Sequence, residues 1–306
     1  IFLIGAVLLV LTLESRSKPI KIQPLGDSIT ECGQMLHYRY FLWYLFKDSP
    51  YTIDFVGSRT GVKKKPVVGN DAWELLKCDC PDFDQQHEGH SGWTANDILD
   101  GPAHWHGYPP NSDLGHWLQT YEVDISLIHI GTNDLLHGDT PEGLLHDLDR
   151  IVDTLRSYYP RVAIFIAQIA EWDPAQVSAD KRQKLATFNS RLPDFVQNKS
   201  TQESKVFAVD VGKGTDPKKH QFGGGYHPNP AALEIMAQHW FDALIAFLDD
   251  GTVTAGNALS VTTVSSQPPK LWDGPVFLPN GKRITIPSSG HRIGYNVTVS
   301  GPRDTR

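Results

Sequence analysis

Ile20-Lys21-Ile22-Gln23-Pro24-Leu25-Gly26-Asp27-Ser28-Ile29-Thr30 reads as a first β-strand running into a tight Gly-Asp-Ser turn. Open α/β sheets bind ligands in the crevice beyond the carboxyl ends of their strands, where the next helix also offers free backbone N–H groups. Ser28 is therefore expected at the edge where chemistry takes place. Taken alone, these residues equally suit an ordinary strand-to-helix turn, with Gly26 supplying backbone freedom and Asp27 or Ser28 capping the helix.

Working outward, β-rich runs recur at residues 52–56, 124–130, 162–167 and 206–209. They alternate with helical stretches, the signature of a parallel sheet wound with helices. After Pro141, Leu144, Leu148, Ile151, Leu155 and Tyr158 recur at helical spacing. Further helices are predicted over residues 179–196 and 230–248, the last with Leu233, Met236, Trp240, Leu244 and Phe247 on one face. The predicted fold is α/β, a flavodoxin-like three-layer α/β/α arrangement around a five-stranded parallel sheet. Residues 58–120, rich in Gly, Pro, His, Trp and Asp, read as a long irregular loop and the expected seat of substrate specificity.

The chain has 306 residues, 40% hydrophobic and 21% charged, enough for a sizeable core. A net charge of -7 without any Lys/Arg block argues against a nucleic-acid partner, and Lys63-Lys64-Lys65 reads as a solvated loop. Residues 1–13 are apolar except for Thr12, short for a membrane span but suited to a signal-peptide core. No initiator Met or basic leader precedes them, so the true start is expected to lie upstream. The expected organisation is a signal peptide over 1–18, a catalytic domain over 19–249, a Ser/Thr/Pro linker over 250–270, and an extension over 271–306 with a short β-hairpin around Pro279-Asn280-Gly281-Lys282.

The protein is expected to be secreted and extracellular, without a stable membrane span, and to act as a monomer. Sequons at Asn198 and Asn296 fit glycosylation on that route. Of the three cysteines, Cys32 lies near the serine turn and Cys78 and Cys80 lie together before a glycine motif. In an oxidising compartment Cys32 could pair with Cys78 or with Cys80, leaving one thiol over, and the spacing does not choose. The histidines His87, His90, His104, His106, His116 and His137 lack metal-ligand spacing, so no metal or other cofactor is expected. Trp93, Trp105, Trp117 and Trp172 could offer sugar-stacking faces, although packing is the commoner fate of tryptophan.

Three more motifs fall where the wound sheet would bring them beside Ser28: His87-Glu88-Gly89-His90-Ser91-Gly92-Trp93, Gly131-Thr132-Asn133-Asp134 at the end of the third strand, and Tyr226-His227-Pro228-Asn229-Pro230 before the last helix. Acyl transfer explains the combination. Ser28 needs a base within hydrogen-bond reach, and His227 is the candidate. The developing oxyanion needs fixed donors, for which the backbone N–H groups of Ser28 and Gly92 and the side-chain amide of Asn133 are candidates. Asp27 and Asp134 are expected to orient turns.

These blocks, in this order, resemble the four signature blocks of the SGNH hydrolases, the GDSL esterase superfamily, over residues 19–249. Within that span, Pro24-Leu25-Gly26-Asp27-Ser28-Ile29-Thr30-Glu31, Asp54-Phe55-Val56-Gly57 and His87-Glu88-Gly89-His90-Ser91-Gly92 look like the acetyl xylan esterases of carbohydrate esterase family three. The resemblance implies a flavodoxin-like fold, metal-free ester hydrolysis, and acetylated polysaccharides or small esters as substrates.

In that family the triad acid stands three residues before the histidine, and here that residue is Gly224. A carboxylate there holds the imidazole in the right tautomer and stabilises imidazolium. Three readings follow: a backbone carbonyl orients His227, a carboxylate from elsewhere such as Asp216 does, or the activity is impaired. The competing functions are a carbohydrate-binding pseudoenzyme and, less suited to the polar 58–120 segment, a lipase or thioesterase on the same scaffold.

Overall fold

The computed structural model describes residues 18–31, 37–66, 73–78, 80, 82–102, 108–250, 276–277 and 283–284. The expected leader at 1–13, Cys32, His104, Trp105, His106, the linker beyond Asp250 and the sequon at Asn296 lie outside the described residues.

The first half of the chain runs β1 (Ile20–Gly26), α1 (Ser28–Glu31), α2 (Tyr38–Lys47), β2 (Ile53–Phe55), β3 (Arg59–Thr60), β4 (Lys63–Pro66), β5 (Trp73–Leu76), β6 (Gln86–Gly89), α3 (Ala95–Asp100) and α4 (Leu114–Trp117). Then come β7 (Ile125–His129), α5 (Thr132–His137), α6 (Pro141–Tyr158), β8 (Ala163–Gln168), α7 (Ala179–Lys199) and β9 (Val206–Asp210). The unit ends with α8 (Pro217–His220), β10 (Gln221–Phe222), α9 (Gly223–Tyr226), β11 (His227–Pro228) and α10 (Pro230–Asp249).

β1, β7, β8 and β9 lie side by side and parallel, and β2 and β6 share the other edge of β1. β2 runs beside residues 20–22 and β6 beside residues 25–26, while β3 adds an antiparallel outer strand on β6. The expected five-stranded parallel sheet is present as β1, β2, β7, β8 and β9, and β3 and β6 bring the sheet to seven strands. Residues 58–120 are thus not one irregular loop, and Lys63-Lys64-Lys65 forms β4, paired antiparallel with β5.

β7 is buried along its whole length and β8 everywhere but its last residue, as expected of parallel strands covered on both faces. Thr140 caps α6 by accepting the Gly143 N–H at 3.0 Å, and Pro141 supplies the pre-set φ of a first helical residue. Leu144, Leu148, Ile151 and Leu155 are buried as their spacing requires, but Tyr158, at the helix end, is 38% exposed. α6 packs with α3 and α7, and α2 packs with α10. Among the described residues only α10 is long and apolar enough to cross a membrane, and its Leu233, Met236, Trp240 and Leu244 are buried in this fold.

The chain divides into two compact units, residues 1–269 and 270–306. In the second, β12 (Val276–Phe277) pairs antiparallel with β13 (Arg283–Ile284).

Candidate active site

Strand register brings three of the motifs into one row. Gly26, the last residue of β1, stands opposite Gly89 of β6 and His129 of β7, so the chain leaves three neighbouring strands at one edge as Asp27-Ser28, His90–Trp93 and Gly131–Asp134. The first turn is held by its own polar groups: Asp27 Oδ1 accepts the Ile29 N–H at 2.9 Å and Asp27 O accepts the Glu31 N–H at 2.9 Å. Asp134 does the same for the neighbouring helix, its Oδ1 accepting the Ala95 N–H at 2.9 Å. Burial pushes the Asp134 carboxyl up to about 7, with the charges of Asp27 and Asp139 adding to the shift.

The segment from His90 to Trp93 is a turn closed by the Trp93 N–H on His90 O at 3.3 Å. Gly92 occupies its third position with φ +83°, the left-handed value that a type II turn requires there and that glycine adopts without steric cost. Both ends of the turn are tied to the other blocks. The His90 N–H donates to Gly26 O at 2.8 Å, and the Asn133 amide donates to Trp93 O at 2.8 Å. An amide nitrogen carries two hydrogens, so this bond leaves one for a ligand. Asn133 is 8% exposed, and Ser28 and Gly92 are half-buried.

His227 arrives from the far end of the sequence. It lies on β11, opposite Phe222 of β10, just before Asn229, whose side chain caps α10 through the Ala232 N–H at 3.1 Å. Its Nε2 stands 2.9 Å from Ser28 Oγ. A hydroxyl this close to an imidazole nitrogen can pass its proton to it as the oxygen attacks an acyl carbon. Ser28, Gly92, Asn133 and His227, the residues singled out by their motifs, thus belong to four segments, the first three side by side on the strand ends and the fourth on the serine itself.

The position three residues before His227 holds no acid. Gly224 has φ +76°, and a Cβ placed on it would come within 2.4 Å of Tyr226 Cε1. The Tyr226 ring lies 4.6 Å, centroid to centroid, from the imidazole of His227. Asp216 is engaged elsewhere: one oxygen accepts the Lys218 N–H at 3.0 Å as the cap of α8, and the other pairs with Lys219 Nζ at 3.0 Å. Those bonds hold its pKa below the usual carboxylate range, Lys219 first.

The cysteine expectation is corrected. Cys78 and Cys80 are bonded to each other, their Cα atoms 5.2 Å apart and two residues apart in sequence, so neither pairs with Cys32. That separation lies within the range a disulfide spans, and the bond closes a far shorter loop than one back to Cys32 would, at a lower entropy of closure. Sugar stacking on three of the tryptophans is likewise excluded, since Trp93, Trp117 and Trp172 are all buried.

A set of buried charges next to the turn went without a role in the sequence reading. Glu31 pairs with Arg59 at 2.8 Å, and Arg59 Nη1 donates to His90 Nδ1 at 3.1 Å. A guanidinium only donates, so His90 accepts there and donates from Nε2 to Glu88 Oε2 at 2.9 Å, as a neutral imidazole. Burial pushes its pKa down, in keeping with that form. The ring packs against two indoles, its centroid 4.3 Å from that of Trp93 and 4.5 Å from that of Trp117. The available signal was the charge inside His87-Glu88-Gly89-His90, because charged groups within a covered sheet must be paired.

The chain is similar to several known esterases. A curated multidomain esterase of Ruminococcus flavefaciens is 28% identical over 247 residues, 77% of this chain and 30% of that protein. The chain thus spans under a third of that relative's length. A carbohydrate esterase family 3 structure from Talaromyces cellulolyticus superposes with a TM-score of 0.59 at 25% identity, covering 76% of this chain and 99% of the other. The structure of an acetyl esterase mutant with acetate ion gives a TM-score of 0.60 at 25% identity, covering 76% and 100%. Residues 25–235, more than half of the chain, match the GDSL-like lipase/acylhydrolase family, to which this protein belongs.

Proposed function

We propose that this protein is a secreted serine esterase that removes acetyl groups from carbohydrate through an acyl-enzyme on Ser28. The observation that carries the reading is the 2.9 Å contact between Ser28 Oγ and His227 Nε2 at the carboxyl edge of the sheet. Kinship with carbohydrate esterases supports the substrate class, and an acetyl esterase among the structural neighbours supports the acyl group.

Ser28 Oγ attacks the acetyl carbonyl carbon while its proton passes to His227 Nε2. The resulting oxyanion accepts hydrogen bonds from the N–H groups of Ser28 and Gly92 and from the Asn133 amide, each such donor being worth about 3 kcal/mol in the transition state. As the tetrahedral carbon collapses, the carbon–oxygen bond to the sugar breaks and His227 returns the proton to the departing hydroxyl. Water then attacks the acetyl-serine along the same path, and acetate leaves. Secretion fits the Cys78–Cys80 bond, which belongs to an oxidising compartment, and an exposed Asn198 available to glycosylation in the last turn of α7. The 1–18 leader, the linker and the C-terminal extension are part of the same proposal, with the whole acting as a monomer.

The test is acetate release from acetylated xylan and hydrolysis of 4-nitrophenyl acetate by the parent and by Ser28→Ala. The variant is expected to lose at least about 10³-fold in kcat. Unchanged hydrolysis would sink the assignment. Gly224 supports a second reading, a carbohydrate-binding protein whose chemistry is gone. A parent that binds xylan without releasing acetate favours it.

A further inference from the structure

We propose that Glu31, clasped by Arg59, is a positioning residue that registers the Gly92 turn against Ser28. The inference rests on the acyl-transfer reading above, with the Gly92 N–H as an oxyanion donor. Glu31 ends the four-residue helix that Ser28 begins, and its side chain is wholly buried. A buried carboxylate needs partners for both oxygens, and these two go to different places. Oε1 receives Arg59 Nη2 at 2.8 Å, and Oε2 accepts the backbone N–H of Ser91 at 3.0 Å.

Arg59, from the outer strand β3, also reaches His90 Nδ1 with Nη1 at 3.1 Å. The pair therefore grips two consecutive residues of the turn, one by its side chain and the next by its backbone. The following peptide unit carries the Gly92 N–H. Its direction depends on how Ser91 is held, because a turn with a left-handed third residue has its central peptide flipped relative to the commoner type I form. Nucleophile and oxyanion turn are thus linked through one helical turn of chain. Misplacement by about 1 Å can cost about 10²-fold in rate, so this link bears on catalysis. Stability alone does not call for it, since an apolar pair of similar volume commonly serves a core as well as a buried ion pair.

The experiment compares Ser91→Pro and Glu31→Gln with the parent and with Ser28→Ala on 4-nitrophenyl acetate, reading kcat and KM separately. Proline suits the second position of this turn and has no N–H to donate to Glu31, so Ser91→Pro breaks the contact while favouring the turn. Both variants are expected to lose about 10- to 100-fold in kcat with KM within about twofold, and to be phosphonylated at Ser28 more slowly in proportion, because that reaction uses the same oxyanion donors. Thermal melts show whether each variant folds, and Ser91→Pro stands as the test if Glu31→Gln does not. Parental kcat in a folded Ser91→Pro, or a loss expressed only in KM, overturns the inference while leaving the nucleophile intact. A parent without turnover, or full activity in Ser28→Ala, overturns the acyl-transfer reading and this inference together.

Discussion

On the serine side of the site, the turn after β1, the turn from His90 to Trp93 and Asn133 leave three adjacent parallel strands and are bound to one another by buried contacts of 2.8 to 3.0 Å. On the histidine side, His227 rides on a two-residue antiparallel ladder that closes over Gly223-Gly224-Gly225, and two of those glycines have left-handed φ. The first region is specified by the sheet itself: moving any one motif would break register across several strands. The second depends on a short surface excursion, anchored where the Asp173 N–H meets Gly225 O at 2.8 Å. The difference explains how a family acid can be absent while the rest of the constellation stays assembled. Loss of the carboxylate at position 224 disturbs no strand and no bond of the oxyanion side.

The largest effect expected from probing that contrast is on His227→Ala, which should lower kcat on an acetyl ester by about 10³-fold. A loss below about tenfold would remove the histidine from the chemistry and break the comparison. Asn133→Ala should cost about 10²-fold, because it deletes one donor and also releases the turn at Trp93 O. If the two sides are built independently, the double variant should lose close to the product of the single losses in steady-state kinetics.

The third probe is the pH dependence of stability. Asp134 is raised to about 7, so between about 4 and about 7 the folded chain holds a proton that the unfolded chain releases, and its contribution to stability falls as pH rises through that window. Asp134→Asn should therefore gain on the parent by about 3–4 kcal/mol between pH 4 and pH 7.5, read from urea midpoints. Buried His37, His87, His90 and His129 act with the opposite sign. Burial lowers their pKa values, so both proteins lose stability as pH drops below about 6.5, and the term cancels in the difference. The smallest effect belongs to Gly224→Asp. The left-handed φ and the Tyr226 ring at 2.4 Å should cost about 1–2 kcal/mol in a thermal melt, with no gain in kcat. Adding Tyr226→Ala clears the ring, and recovery of kcat in that double variant would sharpen the view that the ring occupies the place of the acid.

Much of this molecule was legible from local pattern. Leu144, Leu148, Ile151 and Leu155 lie on the buried face their spacing requires, and the β7 and β8 runs read as strands because parallel strands are apolar on both faces. Tyr158 departed from its period as the last residue of α6, because periodicity does not say how far along a helix its packing partners reach. β6 was missed for another reason. Its His87 and Glu88 are polar yet fully buried, and burial of that kind is made tolerable only by partners elsewhere, such as Ser58 and Tyr121 on Glu88. Ser28, Gly92, Asn133 and His227 stood out because each sits in a short motif. Glu31 and Arg59 did not, since neither residue type is informative without its partner 28 positions away.

The sequence by itself determined the wound α/β sheet, the four motifs and their order, and the absence of an acid at position 224, all of which are local properties of the chain. Only the tertiary structure decided that Ser28 meets His227 at 2.9 Å across 199 residues, that Cys78 bonds Cys80, and that Glu31 holds the Gly92 turn. Those are choices of partner among distant groups. They follow from strand register and from the need to pair every buried polar atom, which no short stretch of sequence contains.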